Sequence, residues 1–334
     1  MEATLIPNKG SDLIVVNAAR VSFKKENTEF TTGDEGLIRY LATHDHWTPF
    51  SHCRDAFALF MSFEGFGRLI CNMTQEEVTG LVWMHHDAKF ILKHSLYGWA
   101  KILNRITDEK MYADERLREI PFAQFAQVYN ALKAKYPVSA KYLIKESPYF
   151  GGFDRVWEVP VPDVVNENPY FVDVTIRQKV PIFVARQDFK HMVGRTFNEV
   201  SRRYVDDEPE VYLPDVWRAK AENKKQGSLD EPAEFMYRLD DDLKNYSNYI
   251  ANDTTFIVNL YENLIANLVC PEQARMILPQ GMMTEYYVTA NLAAWNRMIK
   301  QRKDSHAQKE IQDLAVLVEA ELVKYDSQNK LETP

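Results

Sequence analysis

Between Arg186 and Tyr204 the chain reads R-Q-D-F-K-H-M-V-G-R-T-F-N-E-V-S-R-R-Y. With Arg177 just upstream, this stretch gathers Arg186, Lys190, Arg195, Arg202 and Arg203 around Glu199, and His191 adds a further positive charge when protonated. The whole chain carries a formal charge of −8, so nothing general demands such a cluster. Runs of like charge commonly form a solvated face, but the spacing argues otherwise. Gln187, Lys190 and His191 fall at i, i+3 and i+4, one face of a helix. Pro181 stands near the expected start of that helix and Gly194 at its expected stop. Beyond the glycine, Glu199, Ser201 and Arg203 alternate, so in an extended segment they point the same way. A carboxylate, a hydroxyl and a guanidinium would then face an amide, an ammonium and an imidazole. That combination binds an anion and discriminates by hydrogen bonding.

The stretch resembles the signature of the flavin-dependent thymidylate synthases, R-H-R-x-x-S-x-N-E-x-S-x-R-Y. His191, Asn198, Glu199, Ser201, Arg203 and Tyr204 match, with one extra residue between the histidine and the Asn-Glu pair. Lys190 and Met192 replace the arginines flanking the histidine, and Thr196 stands for the first serine. Two other stretches carry the same resemblance. H-D-H-W-T-P-F-S-H is similar to the family's H-x-x-P-F-x-H turn, placing His46, Thr48 and His52 on matching positions, with Ser51 where an acid is common. Near the carboxyl end, A-R-M-I-L-P, then Thr284, then N-L, then R-K-D-S-H-A-Q-K-E-I follow the family pattern, although Ala293 replaces a usual arginine. Together these segments span residues 12–62 and 173–320.

The resemblance implies an α+β fold, a central sheet flanked by long helices, with a core from 1–62 and 173–334 and a mostly helical insertion over 63–172. It implies transfer and reduction of a one-carbon unit from methylenetetrahydrofolate to carbon 5 of dUMP, giving dTMP, with FAD as hydride carrier and NADPH as reductant. Arg302 matches the arginine thought to promote ionisation of the pyrimidine ring. Gln187, Lys190, Glu199, Ser201, Arg203, Arg275 and Arg302 are expected around the nucleotide. His46, Thr48, Lys190, His191, Met192, Asn198, Glu199, Asn291 and Arg297 are expected around the flavin, with His46 and Tyr204 on the folate or NADPH side. The family assembles as a homotetramer with the flavin between subunits, which would put Thr48 and Glu199 on a different chain from the rest of one site.

The chemistry can also be approached from the residues. Adding carbon to carbon 5 of uracil requires electron density there, supplied by covalent attack at carbon 6 or by stabilising charge on the ring carbonyl and N3. Covalent attack needs an activated thiolate, and Cys53, Cys71 and Cys270 lack neighbours that would create one. Charge stabilisation needs a cation aimed at the ring edge in a dry site. Ser201 without an adjacent base suits substrate hydrogen bonding better than nucleophilic attack.

Residues 12–24 suggest a short apolar strand closing on Ala19–Ser22, and 34–44 a helix with acidic residues in its first turn. A turn at Pro49 leads into a strand. Within 63–172, amphipathic patterns predict helices over 97–105 and 122–136, followed by the Pro/Gly-punctuated E-S-P-Y-F-G-G-F-D. His85, His86 and His94 there read as surface or satisfied histidines rather than ligands, and Pro49 breaks any metal-ligand helix among His44, His46 and His52. Residues 206–232 read as exposed loop, and 233–268 as one or two long helices. Pro271 suits a helix start, with Pro279 ending it. The stretch from Thr284 reads as a helix on which Asn291, Trp295, Met298 and Arg302 form one stripe. An amide and a guanidinium bounding an apolar stripe require polar partners.

At 334 residues, 46% apolar and 26% charged, the chain is an ordinary soluble type with room for one large domain or two. Three cysteines without a metal or disulfide pattern suit a reducing cytoplasm. The amino terminus lacks a signal layout, and no apolar run approaches the ~20 residues that span a bilayer. A sequence pI near 5.6 argues against a nucleic-acid coat. A hydroxymethylase or methylase acting on another pyrimidine nucleotide, and a flavin- or nucleotide-binding protein without turnover, are the alternative readings.

Overall fold

The computed structural model describes residues 1–107, 122–147, 150, 161–221, 228–233, 236–239 and 242–332. The Pro/Gly segment around 148–160 and the lysine-rich 222–227 fall outside the described residues, except for Phe150. A four-stranded antiparallel sheet lies at the centre of the carboxyl-terminal half, in the order 2–6, 173–181, 283–291, 195–199. The Met283–Asn291 strand pairs along its whole length with Asp173–Pro181, from Met283 opposite Pro181 to Asn291 opposite Asp173. Its β-branched and aromatic run Y-Y-V-T explains why this stretch is a strand and not the first turns of a helix. Asn291 ends it and caps the Leu292–Arg302 helix, its side chain accepting from the Ala294 N–H at 2.8 Å. That helix, Ile182–Asp188 and Lys309–Glu332 share one apolar core with the sheet, in which Trp295, Met298, Val184, Ile311 and Leu314 join Ile176 and Val288.

A second core gathers the helices Asp12–Arg20, Thr32–Thr43, Leu96–Ile106, Phe122–Lys135 and Pro137–Leu143 on a three-stranded antiparallel sheet. That sheet has the order 54–60, 89–95, 82–86. The 97–105, 122–136, 34–44 and 49–60 readings all match elements of the structure. The helical patterns give no sign of the two strands inside 63–172, one of which pairs with Arg54–Phe60 throughout, from Arg54 opposite Ser95 to Phe60 opposite Lys89. His94 on that strand is buried, with Nε2 donating to the Glu77 carbonyl at 3.0 Å and Nδ1 accepting from the Ser95 N–H at 2.8 Å.

Four further expectations are corrected. Residues 12–20 are helical: Ser11 caps the helix by accepting from the Ile14 N–H, and Asp12 sits in its first turn. A short apolar run is ambiguous by periodicity, and the cap decides it. Asp12 also accepts from the Val138 and Ser139 N–H groups at 2.8 and 2.9 Å, tying this helix to the start of the Pro137–Leu143 helix. The helix after Pro181 stops at Asp188, so Lys190 and His191 lie in the following turn and not on its face. Residues 206–232 include the paired strands Arg218–Lys220 and Ser228–Pro232. Among its described residues, the 233–268 region begins as a hairpin of Met236–Leu239 and Asp242–Asn245, and the helix runs over Tyr246–Ala266.

Candidate active site

The signature stretch folds as helix, turn, strand and turn. The Ile182–Asp188 helix ends beneath a loop over 189–194, and Gly194 closes that loop at φ +78°. A Cβ at Gly194 would stand 2.9 Å from Asn291 Nδ2, so only glycine allows both the turn and the approach of the helix cap. His191 is 8% exposed. Its Nε2 accepts from Arg302 Nε at 2.8 Å, and Arg302 Nη2 donates to the Gln187 carbonyl at 2.8 Å. Burial first, then Arg302 and Arg195, push the His191 pKa down to about 4. A ring nitrogen that accepts from a guanidinium is unprotonated, so the imidazole is neutral with its proton on Nδ1. The polar partners required for the Trp295–Arg302 stripe are therefore His191 and the Gln187 carbonyl, while Trp295 and Met298 are fully buried. Gln187 Nε2 in turn donates to Gln308 Oε1 at 2.8 Å.

Around the same loop, Met192 is exposed and Arg297 Nη2 donates to the Val193 carbonyl at 2.6 Å. Lys190 is exposed as well. Arg297 thus reaches the loop although it lies off the Asn291–Arg302 stripe. Gln187, Lys190, His191, Met192, Asn291, Arg297 and Arg302 form one neighbourhood. Arg275 lies exposed on the short 3-10 turn Arg275–Ile277, and no contact joins it to that neighbourhood among the described residues.

A second neighbourhood forms at the end of the Arg195–Glu199 strand. Glu199 Oε1 accepts from Thr284 Oγ1 at 2.7 Å, and burial pushes its pKa up against the opposing effects of Thr284 and Arg186. The strand stops at Glu199, so Ser201 and Arg203 belong to a turn, not to an extended segment. They still meet, Arg203 Nε donating to Ser201 Oγ at 3.4 Å. Ser22 anchors the turn: its Oγ donates to the Glu199 carbonyl at 3.0 Å and its carbonyl accepts from the Ser201 N–H at 3.1 Å. Tyr204 stacks on Phe23 with centroids 4.9 Å apart. Among the described residues no hydrogen bond or ion pair links Ser201 or Arg203 to Arg302, His191 or Gln187.

Asn198 faces elsewhere. Its Oδ1 lies 3.1 Å from Nε2 of His52, whose Nδ1 lies 2.7 Å from Thr289 Oγ1. Burial, with a smaller contribution from Arg54, lowers the His52 pKa to about 3. His46 is exposed at the start of the turn leading to His52, and Thr48 is half-buried beside it.

Half of the cationic cluster is neutralised within the fold. Arg195 and Asp188 are fully buried and paired twice, at 2.8 and 3.0 Å, with Arg195 between the rings of Phe197 and Trp295. Tyr286 Oη donates to the same carboxylate at 3.1 Å. Arg202 pairs with Asp207 at 2.9 Å, and Arg177 lies 3.6 Å from Glu26. Arg186, Lys190 and Arg203 have no carboxylate partner among the described residues. The cationic reading set these side chains against Glu199 alone and left out Asp188, the second carboxylate of the stretch, whose side chain faces inward.

Sequence reasoning also missed Arg54. It donates to the Ser51 carbonyl (3.3 Å), the Gly194 carbonyl (3.2 Å) and Thr196 Oγ1 (2.8 Å), and pairs with Asp173 (3.4 Å). It thereby stitches the histidine-bearing turn to the signature loop. Its position just after Cys53, opening a strand, carries no signal by type or spacing.

A family model for the thymidylate synthase complementing protein matches residues 170–325. The flavin-dependent thymidylate synthase of Aquifex aeolicus is 30% identical over 338 residues, covering 96% of both chains, so the 63–172 segment lies inside the aligned stretch. That of Thermosipho africanus is 36% identical over 154 residues, 45% of this chain and 64% of the relative. A UMP/dUMP methylase from Streptomyces cacaoi, solved with 5-bromo-UMP, aligns over 96% of this chain and 88% of its own at 18% identity, with a TM-score of only 0.41. The near-complete match to the Aquifex aeolicus enzyme accounts for the signature loop, the histidine turn and the carboxyl-terminal arginine segment together, and the chain belongs to the flavin-dependent thymidylate synthase family.

Proposed function

We propose that this chain methylates carbon 5 of dUMP, taking the carbon from methylenetetrahydrofolate and using FAD with NADPH as reductant. One observation carries the reading: the Arg302 guanidinium is held by neutral His191 on one edge and by the Gln187 carbonyl on another. Its Nη1 has no acceptor among the described residues, so it can donate to a uracil carbonyl or N3 as negative charge develops there. A fixed donor in a partly dry site favours that charge without reorganising. The thiolate route finds no support, because burial first of all pushes the Cys53 thiol up to about 12. Cys71 and Cys270 lie exposed at helix ends.

Arg203, Arg275, Lys190 and the Ser201 hydroxyl suit the nucleotide's phosphate and sugar, since the two exposed arginines and the lysine lack carboxylate partners among the described residues. The 190–194 loop fits a flavin. Asn291 Nδ2 and Lys190 Nζ are donors without an acceptor among the described residues, and they adjoin the exposed Met192 and Val193, 64% and 73% accessible. When bound, the flavin would supply hydride transfer. The protein's share is to orient the pyrimidine, hold the Arg302 cation at its edge and keep His191 unprotonated. The absence, among the described residues, of a hydrogen bond or ion pair from Ser201 or Arg203 to Arg302, His191 or Gln187 supports a site shared between subunits of a homo-oligomer, a tetramer by family resemblance.

The test is the visible absorption spectrum of the purified protein, followed by anaerobic reduction with NADPH and addition of dUMP and methylenetetrahydrofolate. Flavin bands, bleaching and a product with the mass of dTMP are expected. A colourless protein, or a product bearing a hydroxymethyl group, would overturn the assignment.

A further inference from the structure

A cleft of about 420 Å³ lies outside both neighbourhoods, between the segment 211–218, the Pro279–Gly281 turn and the 246–266 helix. That volume falls in the ~300–1,000 Å³ range of small-molecule sites. Its walls include Phe183, Tyr212, Trp217 and Pro279, with the Phe183 and Tyr212 rings 6.2 Å apart. The 211–212 wall is pinned to the central sheet. Val211 bridges to Met282, and the Tyr212 N–H donates to the Gly281 carbonyl at 2.8 Å.

One carboxylate enters this aromatic lining. Glu310 is 4% exposed, and one of its oxygens, Oε1, accepts from Arg218 Nη2 at 2.6 Å. The other, Oε2, is buried and has no hydrogen-bond partner among the described residues. Burial works against its charge, yet Arg218, the residue's own backbone N–H and nearby Gln308 outweigh that and hold its pKa below the ordinary value. The Gln308 amide lies near enough to favour the charge. Leaving a buried anionic oxygen without a donor is unfavourable, and a ligand that supplies one is favoured by the same amount. An acceptor in an aromatic cleft suits a flat ring that carries an N–H donor at its edge.

We propose that this cleft is a second ligand site, taking a planar nitrogen heterocycle that donates an N–H to Glu310 Oε2 while its rings lie against Tyr212 and Trp217. The inference goes beyond the methylation reading and does not rest on it. Purine nucleosides and pterins share the required edge. Gln308 lines the cleft and also receives the Gln187 hydrogen bond, so an occupant would sit one side chain away from the nucleotide neighbourhood.

The full chain should be titrated calorimetrically with guanosine, with pterin, and with caffeine, a fused heterocycle without an N–H donor. Saturable binding of guanosine or pterin but not caffeine is expected, and whichever binds identifies a nucleoside or a folate-derived source. Glu310→Gln should weaken it by about tenfold or more, and Arg302→Ala should leave it intact. Should Glu310→Gln fail to fold, Trp217→Leu provides the same readout, and the caffeine comparison needs no variant. Absence of saturable binding, equal binding of caffeine, or loss in Arg302→Ala would overturn the proposal.

Discussion

Arg302 donates in two directions at once, and this distinguishes it from a generic cation. Lysine at that position would keep the charge but has no planar fork with which to serve His191, the Gln187 carbonyl and a ligand together. Arg302→Lys is therefore expected to lower kcat for dTMP formation by about a hundredfold while leaving flavin content near normal, as judged by the visible spectrum. Turnover within a few-fold of the parent would remove Arg302 from the chemistry. The buried histidines make a separate prediction. His52 is 1% and His94 3% exposed, with pKa values lowered to about 3 and about 4, chiefly by burial. In the unfolded chain each titrates near 6.5, so between pH 6.5 and 4 the unfolded state takes up protons that the folded state refuses. Stability is unaffected by these groups above pH 6.5 and falls as the pH drops, by about 2 kcal/mol for each at pH 5. Denaturant titrations at pH 7 and pH 5 should show the decline, and His52→Gln should shrink it whatever it does to stability at pH 7. An unchanged pH difference in that variant would mean that His52 titrates normally.

Two glycines show how elements set the site. At Gly194 a methyl group meets both a positive φ and the Asn291 amide at 2.9 Å. Gly36 sits within the Thr32–Thr43 helix with nothing inside 4 Å of a Cβ. Gly194→Ala is expected to cost about 1–3 kcal/mol and to displace the cap of the Arg302-bearing helix, lowering both melting temperature and flavin content. Gly36→Ala should raise stability by about 0.5–1 kcal/mol. Equal effects of the two substitutions in thermal unfolding would refute this account. The same region marks how far the sequence was readable. Caps and breakers held their meaning: Pro181 and Pro271 begin helices, and the 34–44, 97–105 and 122–136 helices follow their periodicity. Local pattern failed where a partner decided the outcome. Residues 283–291 read as the start of the following helix although their Y-Y-V-T run favours a strand, which pairing with Asp173–Pro181 fixes. The 12–16 run looks extended until Ser11 caps it. At the site, residue types were legible from their motif spacing, whereas the Asp188–Arg195 pair and Arg54 act through distant contacts that spacing cannot announce.

Over the whole molecule, most of the expected site residues fall into two groups, with Asn198, Arg275, His46 and Thr48 outside both. One group surrounds the 190–194 loop and the end of the Leu292–Arg302 helix, and the other surrounds the turn after Glu199, held by Ser22. If one chain supplied a complete site, the two groups would have to close on each other, yet the turn is anchored by two hydrogen bonds to Ser22, one from its hydroxyl and one to its carbonyl. In the proposed shared site, two chains arranged symmetrically would resolve this without moving either anchor, because each interface would present one group from each partner, twice over. Mixed assemblies discriminate between these arrangements. Arg302→Ala and Arg203→Ala should each abolish dTMP formation alone. When the two variants are co-expressed in equal amounts, random pairing joins an intact first group to an intact second group in about a quarter of the shared sites, so activity should return to about a quarter of the parent level. Sites contained within single chains would remain inactive in every mixture, since each chain carries one of the two lesions. Recovery must also vanish when the two variants are purified separately and mixed without subunit exchange, which ties the rescued turnover to the interface.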